Sequence, residues 1–353
     1  MTEQYRVYRR ADLSYIDGGV IRDYKIDTDY LTNNASEVTL TEETYAQKGD
    51  VIVGLSGVDK RFIGIITAVD NTKKTVSFKH PKEMFADTVL NPFKYTETLG
   101  YKFELVGAME VILGLAFLTT DDAKKVLPVV FEQRGTASGA VWTDDSDTLN
   151  LSDFIQWAFD NHNVYLDFDI DFTVNKIVCR IIKNTTSGRV IKDNIKLSTP
   201  AFDKNEFPTY NKAVVYDKDT GAIAGTYYLL ENNTVTPSPT NSARLLPVQT
   251  KYISYDAEKG YTPQEVAKSE LQGKIFNHCI QYKLSKEQRL VNPFAFNYGD
   301  GVQIVYDGRE YDSIFTGMKF TKGDPYITCL FGKTRIDFTD RLKQYIDKRY
   351  RKK

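Results

Sequence analysis

Short runs of alternating apolar and polar residues fill the first quarter of the 353-residue chain. Three such runs, at 5–8, 20–26 and 35–40, predict strands because alternation places apolar side chains on one face of a strand. A fourth stretch, 49–78, reads as three more strands separated by short polar turns. Six short strands with polar turns predict a small barrel or sandwich.

The stretch 49–78 is stated a second time near the end of the chain, at 299–331. Each copy starts with Gly-Asp (Gly49-Asp50 and Gly299-Asp300), continues as an apolar run, turns, and runs again to a Thr followed by a small residue. A third strand-like run, at 75–78 in the first copy and 326–331 in the second, completes each copy. The repeat predicts the same three-stranded meander twice, and hence two related β-modules in one chain.

The residues between the two modules change period. Apolar residues at helical spacing predict a helix over 103–117, and Pro128 is expected to end a second short helix over 120–127. A third amphipathic helix is predicted over 151–159, followed by a hairpin of strands 164–174 and 176–183. We therefore expect an α+β domain at 96–205.

The β pattern returns at about residue 206, where a hairpin is predicted at 212–230. Thr262 and Glu265 form a capping-box pattern around Pro263 and predict a helix to about residue 274, with a strand at 277–284 after it. The last residues, 341–353, are expected to form a basic helix or tail.

The predicted fold class is therefore α+β and β-rich. Two related small β-barrel modules, at 1–95 and 206–340, flank an α+β domain at 96–205. A helical insertion, at about 256–290, interrupts the second module.

Composition narrows the classes of function. The net charge is −1, without the basic surplus typical of proteins that bind nucleic acid tightly through phosphates. The most apolar run, 105–118, contains Glu110 and is too short to span a bilayer, so we expect no membrane insertion. No signal-peptide pattern is visible at the first residues, which favours synthesis in the cytoplasm.

No motif for catalysis is present. The three cysteines, Cys179, Cys279 and Cys329, are too few and too scattered for a disulfide framework or a zinc cluster and are expected to be reduced. Cys179 and Cys329 lie inside predicted strands and are expected to be small core residues. The three histidines, His80, His162 and His278, are widely spaced. His278 and Cys279 are adjacent in the chain, so their side chains should point to opposite faces of a strand. We therefore predict no enzymatic activity, no catalytic residues and no cofactor.

Two acidic clusters are candidate cation sites. Asp167, Asp169 and Asp171 alternate with apolar residues and share one strand face, which we expect to be solvated or to face a pore, with a cation site as the alternative. A second cluster, Asp144, Asp145 and Asp147, precedes the helix predicted at 151–159. For these acids, capping of the helix amides is favoured over metal binding. The basic run 348–353 is expected to be a solubilising end, with contact to nucleic acid or an acidic partner as its alternative.

Two runs, 20–24 and 299–317, resemble baseplate hub proteins of phage tails, including the N-terminal structural part of tail-associated lysins. The resemblance implies a homotrimer whose six barrels form a pseudo-sixfold ring in the virion, at the tail tip or baseplate of a phage or prophage. Its implied partners are the tail tube, the distal tail ring and the adsorption or fibre proteins, and DNA would pass through the ring without specific binding. Because the chain stops soon after the second module, we do not expect a wall-degrading activity.

Two other functions are weighed beside the hub. The chain contains 23 tyrosines, which suit sugar stacking and make a receptor- or carbohydrate-binding tail protein the alternative. A glycoside or peptidoglycan hydrolase is the least favoured reading, because no pair of acids stands out among the 47 in the chain.

Overall fold

The computed structural model describes residues 3–333 except 33, 58, 96–101, 143, 145, 185–188, 193–201, 207–209, 233, 247, 273–275, 277, 287–290 and 307–308. Its first unit is a six-stranded barrel. The strands are β1 (Glu3–Tyr8), β2 (Tyr15–Asp27), β3 (Ser36–Leu40), β4 (Val51–Ser56), β5 (Asp59–Asp70) and β6 (Thr75–Lys79). They pair in the order β1-β4-β5-β6-β3-β2, and β2 pairs back onto β1, which closes the barrel.

The middle of the chain packs two helices against a small sheet. Its elements are β7 (Thr88–Leu90), α1 (Pro92–Tyr95), β8 (Lys102–Phe103), α2 (Leu105–Phe117), β9 (Val129–Arg134), β10 (Ala140–Val141), β11 (Thr148–Asn150), α3 (Leu151–His162), β12 (Val164–Asp171) and β13 (Lys176–Lys183). β12 and β13 form the predicted hairpin, and β9 lies parallel to β13. The apolar faces of α2 and α3 share one buried cluster with this sheet.

The remaining elements complete a second barrel-like sheet and add a separate one. They are β14 (Arg189–Lys192), β15 (Phe202–Glu206), β16 (Lys212–Asp217), β17 (Ile223–Leu229), β18 (Val235–Thr236), β19 (Thr250–Tyr255), α4 (Pro263–Leu271), β20 (His278–Ser285), β21 (Gly301–Tyr306), β22 (Arg309–Thr321) and β23 (Tyr326–Phe331). The predicted capping box at the start of α4 is present. The predicted β-rich α+β class is confirmed.

The second barrel repeats the strand order of the first. Its strands pair as β14-β21-β22-β23-β20-β15. Counted from the first strand of each module, both orders are first, fourth, fifth, sixth, third and second. The copies differ at one place: β14 runs parallel to β21, whereas β1 runs antiparallel to β4. No ladder joins β14 to β15 within the described residues, so the second barrel lacks the closing pair of the first.

The strands β16 to β19 do not join either barrel. They form a sheet of their own, in the order β18-β17-β16-β19, and α4 covers one face of it. Sheet membership therefore favours an insertion that includes the hairpin at 212–230, with β20 belonging to the barrel. The exact domain boundaries stay a proposal, and the predicted tail at 341–353 lies outside the described residues.

The prediction of a short helix at 120–127 is wrong. This segment is a turn, in which the Asp122 carboxylate accepts a hydrogen bond from the Lys124 N–H at 2.9 Å. Residues 121–126 are largely exposed, so a helix here would have no apolar stripe to bury. The segment leads instead into β9, a strand that the sequence pattern did not reveal.

Candidate functional site

The same turn, with the same hydrogen bond from a backbone amide to an aspartate side chain, occurs once in each barrel. In the first barrel, Asp50 is buried and its Oδ2 accepts a hydrogen bond from the Gln47 N–H at 2.8 Å. In the second, the buried Asp300 accepts through Oδ2 from the Asn297 N–H at 3.0 Å. Each carboxylate thus satisfies an amide three residues before it, as an Asp in a turn commonly does.

The glycine before each aspartate starts the meander. Gly49 has φ +97° and Gly299 has φ +77°, a region that costs glycine little and other residues much. The Gly49 N–H donates to the Ile66 carbonyl oxygen at 2.8 Å, and the Gly299 N–H donates to the Phe315 carbonyl oxygen at 2.8 Å. The predicted repeat of the Gly-Asp start is therefore a repeat of the same backbone.

A bulge occurs at the same place in both meanders. The ladder between β5 and β6 shifts at Thr67, and the ladder between β22 and β23 shifts at Thr316. The Thr67 hydroxyl donates to the Ser77 carbonyl oxygen at 3.2 Å, and the Thr316 hydroxyl donates to the Leu330 carbonyl oxygen at 3.0 Å. The Thr followed by a small residue, seen twice in the sequence, marks this bulge.

The two barrels meet at a backbone ladder, which we call the seam. Residues 25–27 of β2 pair antiparallel with residues 319–321 of β22. Across the seam, Lys319 Nζ lies 3.0 Å from Asp27 Oδ2, and the Asp27 side chain is nearly buried. The ladder joins the strands of both barrels into one sheet, so the chain presents its two barrels side by side.

Tyr30 ties the seam to the middle domain. Its side chain is fully buried, and its hydroxyl oxygen accepts a hydrogen bond from the Leu166 N–H at 3.0 Å. Its ring centroid lies 4.9 Å from that of Phe159 and 5.0 Å from that of Tyr298. Its N–H donates to the Thr316 carbonyl oxygen at 2.9 Å. Sequence reasoning missed Tyr30 because it lies in a polar turn, without periodic neighbours.

The acids of β12 do not gather around a common point. Asp167 Oδ2 lies 3.2 Å from Arg180 Nη1, and Asp169 Oδ1 lies 2.8 Å from Lys60 Nζ. Burial is the largest single influence on Asp169 and opposes its ionisation. The hydrogen bond and charge of Lys60, the Ile170 N–H and the Arg180 charge together outweigh it and hold the pKa of the carboxyl below its usual value. The strand face is half exposed, and cations neutralise two of its three acids.

Asp171, the third acid of that face, accepts hydrogen bonds within the turn that follows β12. Its Oδ1 accepts a hydrogen bond from the Thr173 N–H at 2.8 Å. In the part of the chain that the structure describes, no three His, Cys, Asp or Glu side chains lie close enough to hold a metal ion.

Asp144 and Asp147 do not cap α3, contrary to the prediction. The strand β11 intervenes, and Asn150 Oδ1 accepts the helix amide instead. Asp147 Oδ1 lies 2.6 Å from Lys94 Nζ, and Asp144 accepts an amide within its own turn. Asp145 lies outside the described residues.

The histidines and cysteines lie in separate places, and of the histidines His278 is buried whereas His80 and His162 are partly buried. All three cysteines are free and buried, and the predicted burial of Cys179 and Cys329 is confirmed. His278 Nε2 lies 2.7 Å from Ser313 Oγ, but both side chains are buried, so this contact holds the sheet together rather than offering a nucleophile. Burial lowers the pKa of His80 to about 3 and that of His162 to about 4.

These depressed values predict acid sensitivity. In the unfolded chain His162 becomes protonated below about pH 6.5, whereas in the folded chain it stays neutral until about pH 4. The unfolded state therefore binds more protons between these values, and the free energy of unfolding falls as the pH falls through this window. The His162→Phe variant should lose less stability, by about 1.4 kcal/mol per pH unit. His162 Nε2 is buried without a hydrogen-bond partner, so phenylalanine breaks no bond there.

Urea unfolding of the wild type and of His162→Phe at pH 7.5, 6 and 4.5 measures this difference. Taking the difference between the two proteins at each pH cancels the titration of the carboxylates that they share. Parallel stability curves over this range would contradict a neutral, buried His162.

Within the described residues, no helix combines the length and the apolar character needed to cross a bilayer.

Comparison with known proteins identifies the fold. No family model and no curated protein matches the chain. Among solved structures, it is similar to prophage tail protein gp18 from Listeria monocytogenes EGD-e, with 12% identity, a TM-score of 0.55 and 98% of each chain covered. It is also similar to the tail protein from Neisseria meningitidis MC58, with 13% identity, a TM-score of 0.54, 94% of this chain and 96% of that one covered.

A third similar structure is the 43 kDa tail protein of prophage MuSo2 from Shewanella oneidensis, with 10% identity and a TM-score of 0.51. It covers 94% of this chain and 98% of its own. The chain therefore has the fold of phage tail proteins, and the resemblance seen in the sequence is confirmed at the level of fold. Identities this low establish the fold alone.

Proposed function

We propose that this chain is a non-enzymatic structural protein of a phage tail. In this proposal it forms a homotrimeric hub at the tail tip or baseplate of the virion, where it connects the tail tube and the distal tail ring to the adsorption or fibre proteins. The repeated barrel carries the proposal. Two barrels of the same strand order, joined at a seam within each chain, allow three copies to present six similar units.

Charge supports a role in which DNA passes through the ring without being gripped. The net charge is −1, and the acidic face of β12 is neutralised by Arg180 and Lys60. A ring of such subunits lacks the basic surplus that binds phosphates tightly. Structures similar to this one are named as tail proteins, which agrees with a tail role.

The mass and symmetry of the assembled protein test the proposal. We expect native mass spectrometry and light scattering to give three times 40.3 kDa, and projection images to show a ring with six lobes. A dilution series separates a weak trimer from a monomer. A protein that remains at 40.3 kDa at every concentration, or that forms a ring of another symmetry, would overturn the hub.

A further inference from the structure

A cleft lies beside the seam and is built by both barrels. Its volume is about 510 Å³, within the range of pockets that bind small ligands or short peptide segments. Its walls include three residues of the first barrel and three of the second: Glu3, Tyr24, Arg61, Lys286, Phe294 and Phe320. The cleft therefore exists only while the two barrels keep their positions.

The cleft holds two cations, Arg61 and Lys286. Arg61 Cζ lies 4.9 Å from the centre of the Phe294 ring, and Lys286 Nζ donates to the Thr321 carbonyl oxygen at 2.8 Å. Across the described residues, no carboxylate lies within ion-pair distance of either side chain. The side chain of Arg61 is half-buried, so its donors are only partly available to water. Such donors favour an incoming carboxylate, which can accept two hydrogen bonds from a guanidinium.

Glu3 adds an acceptor to the same cleft. Its Oε1 accepts a hydrogen bond from the Tyr24 hydroxyl at 2.9 Å, whereas its Oε2 is buried and has no donor in the described part of the chain. A buried carboxylate oxygen without a donor is costly. A donor on a ligand, reached by a small turn of the Glu3 side chain, would remove this cost.

We propose that this cleft binds an acidic peptide segment of a partner protein. A peptide offers a side-chain carboxylate for Arg61 and Lys286 and a backbone N–H for Glu3. The Phe294 and Phe320 rings, with centroids 5.6 Å apart, suit an apolar side chain beside the acid. A phosphate group fits less well than a peptide. Its second negative charge would face the Glu3 carboxylate, and a fully ionised phosphate has no hydrogen-bond donor to offer Glu3.

Identification of the partner as another tail protein rests on the proposed hub function, but peptide binding does not. The probes are acetylated, amidated peptides of about five residues, a length suited to a pocket of this size, in which Asp or Glu alternates with Phe or Leu. The matched control peptides carry Asn or Gln in place of the acids. Calorimetry on the full chain, at low and at moderate salt, measures the affinity.

We expect acidic peptides to bind and the amide controls to bind at least about tenfold more weakly, in a manner that weakens with salt. Arg61→Gln should weaken binding of the acidic peptides by about tenfold. Arg6→Gln, a matched change at an exposed position on β1 outside the cleft lining, should leave binding unchanged. Thermal melting shows whether each variant remains folded.

Three results would overturn the proposal. These are no binding by any acidic peptide, equal binding of acids and amides, or inorganic phosphate displacing the peptides at equal concentration. A trimer that ignores acidic peptides refutes the cleft and leaves the hub intact. A monomer that binds them refutes the hub and leaves the cleft.

Discussion

Replacing Gly317 by alanine is expected to lower the free energy of unfolding by about 2–3 kcal/mol, the upper part of the range for an overpacked buried site. A Cβ at this position would lie 2.6 Å from the Asp29 Cα and 2.8 Å from the Thr28 carbonyl oxygen. Both are backbone atoms, and Thr28 is fixed because its N–H donates to the Met318 carbonyl oxygen at 2.9 Å. The methyl group therefore pushes the first barrel away from the second.

Ala68 provides the matched control. It occupies the position in the first barrel that Gly317 occupies in the second, directly after the bulged threonine. Ala68→Gly should cost less than about 1 kcal/mol, the usual difference between these residues in regular structure. Urea unfolding, followed by fluorescence, measures both variants. Equal, small losses in the two would show that the seam does not depend on close backbone approach at Gly317.

The repeat could be predicted from the sequence because its requirements are local. A glycine with positive φ, an aspartate that accepts an amide three residues back, and a threonine at a bulge are all needed within one meander. Each requirement restricts a single position, so Gly49-Asp50 and Gly299-Asp300 retained the same residue types.

The inserted sheet and β9 could not be predicted because their contacts are distant in sequence. β16 pairs in parallel with β19, and β9 pairs in parallel with β13, so neither pair is joined by a tight turn that the sequence would mark. The capping prediction failed for a related reason. Asp147 is paired with Lys94, a residue more than fifty positions away, whereas Asn150 caps the helix.

The cleft was also beyond sequence reasoning. Glu3, Arg61 and Lys286 come from three separate segments and meet only after both barrels have formed and docked. None of them lies in a motif. Their significance depends on the neighbours that each has in the folded chain, which a linear sequence does not show.

The largest loss of stability is expected from Tyr30→Ala. Removing this ring opens a cavity between the seam and the middle domain, which should cost about 3–5 kcal/mol, as for other large aromatic side chains in cores. The change also removes the ring that Lys82 Nζ approaches to 4.2 Å. Burial lowers the pKa of Lys82 to about 8, so this ammonium depends on the few groups that stabilise its charge.

Two further variants separate packing from hydrogen bonding at this site. Tyr30→Phe keeps the ring but leaves the Leu166 N–H without its acceptor, for an expected cost of about 1–3 kcal/mol. Tyr45→Ala removes a tyrosine side chain that is 84% exposed and should be nearly neutral. Urea unfolding ranks the three, and the expected order of losses is Tyr30→Ala, then Tyr30→Phe, then Tyr45→Ala. If Tyr30→Ala is no more costly than Tyr45→Ala, Tyr30 does not join the barrels to the middle domain, and the two parts must be held by other contacts.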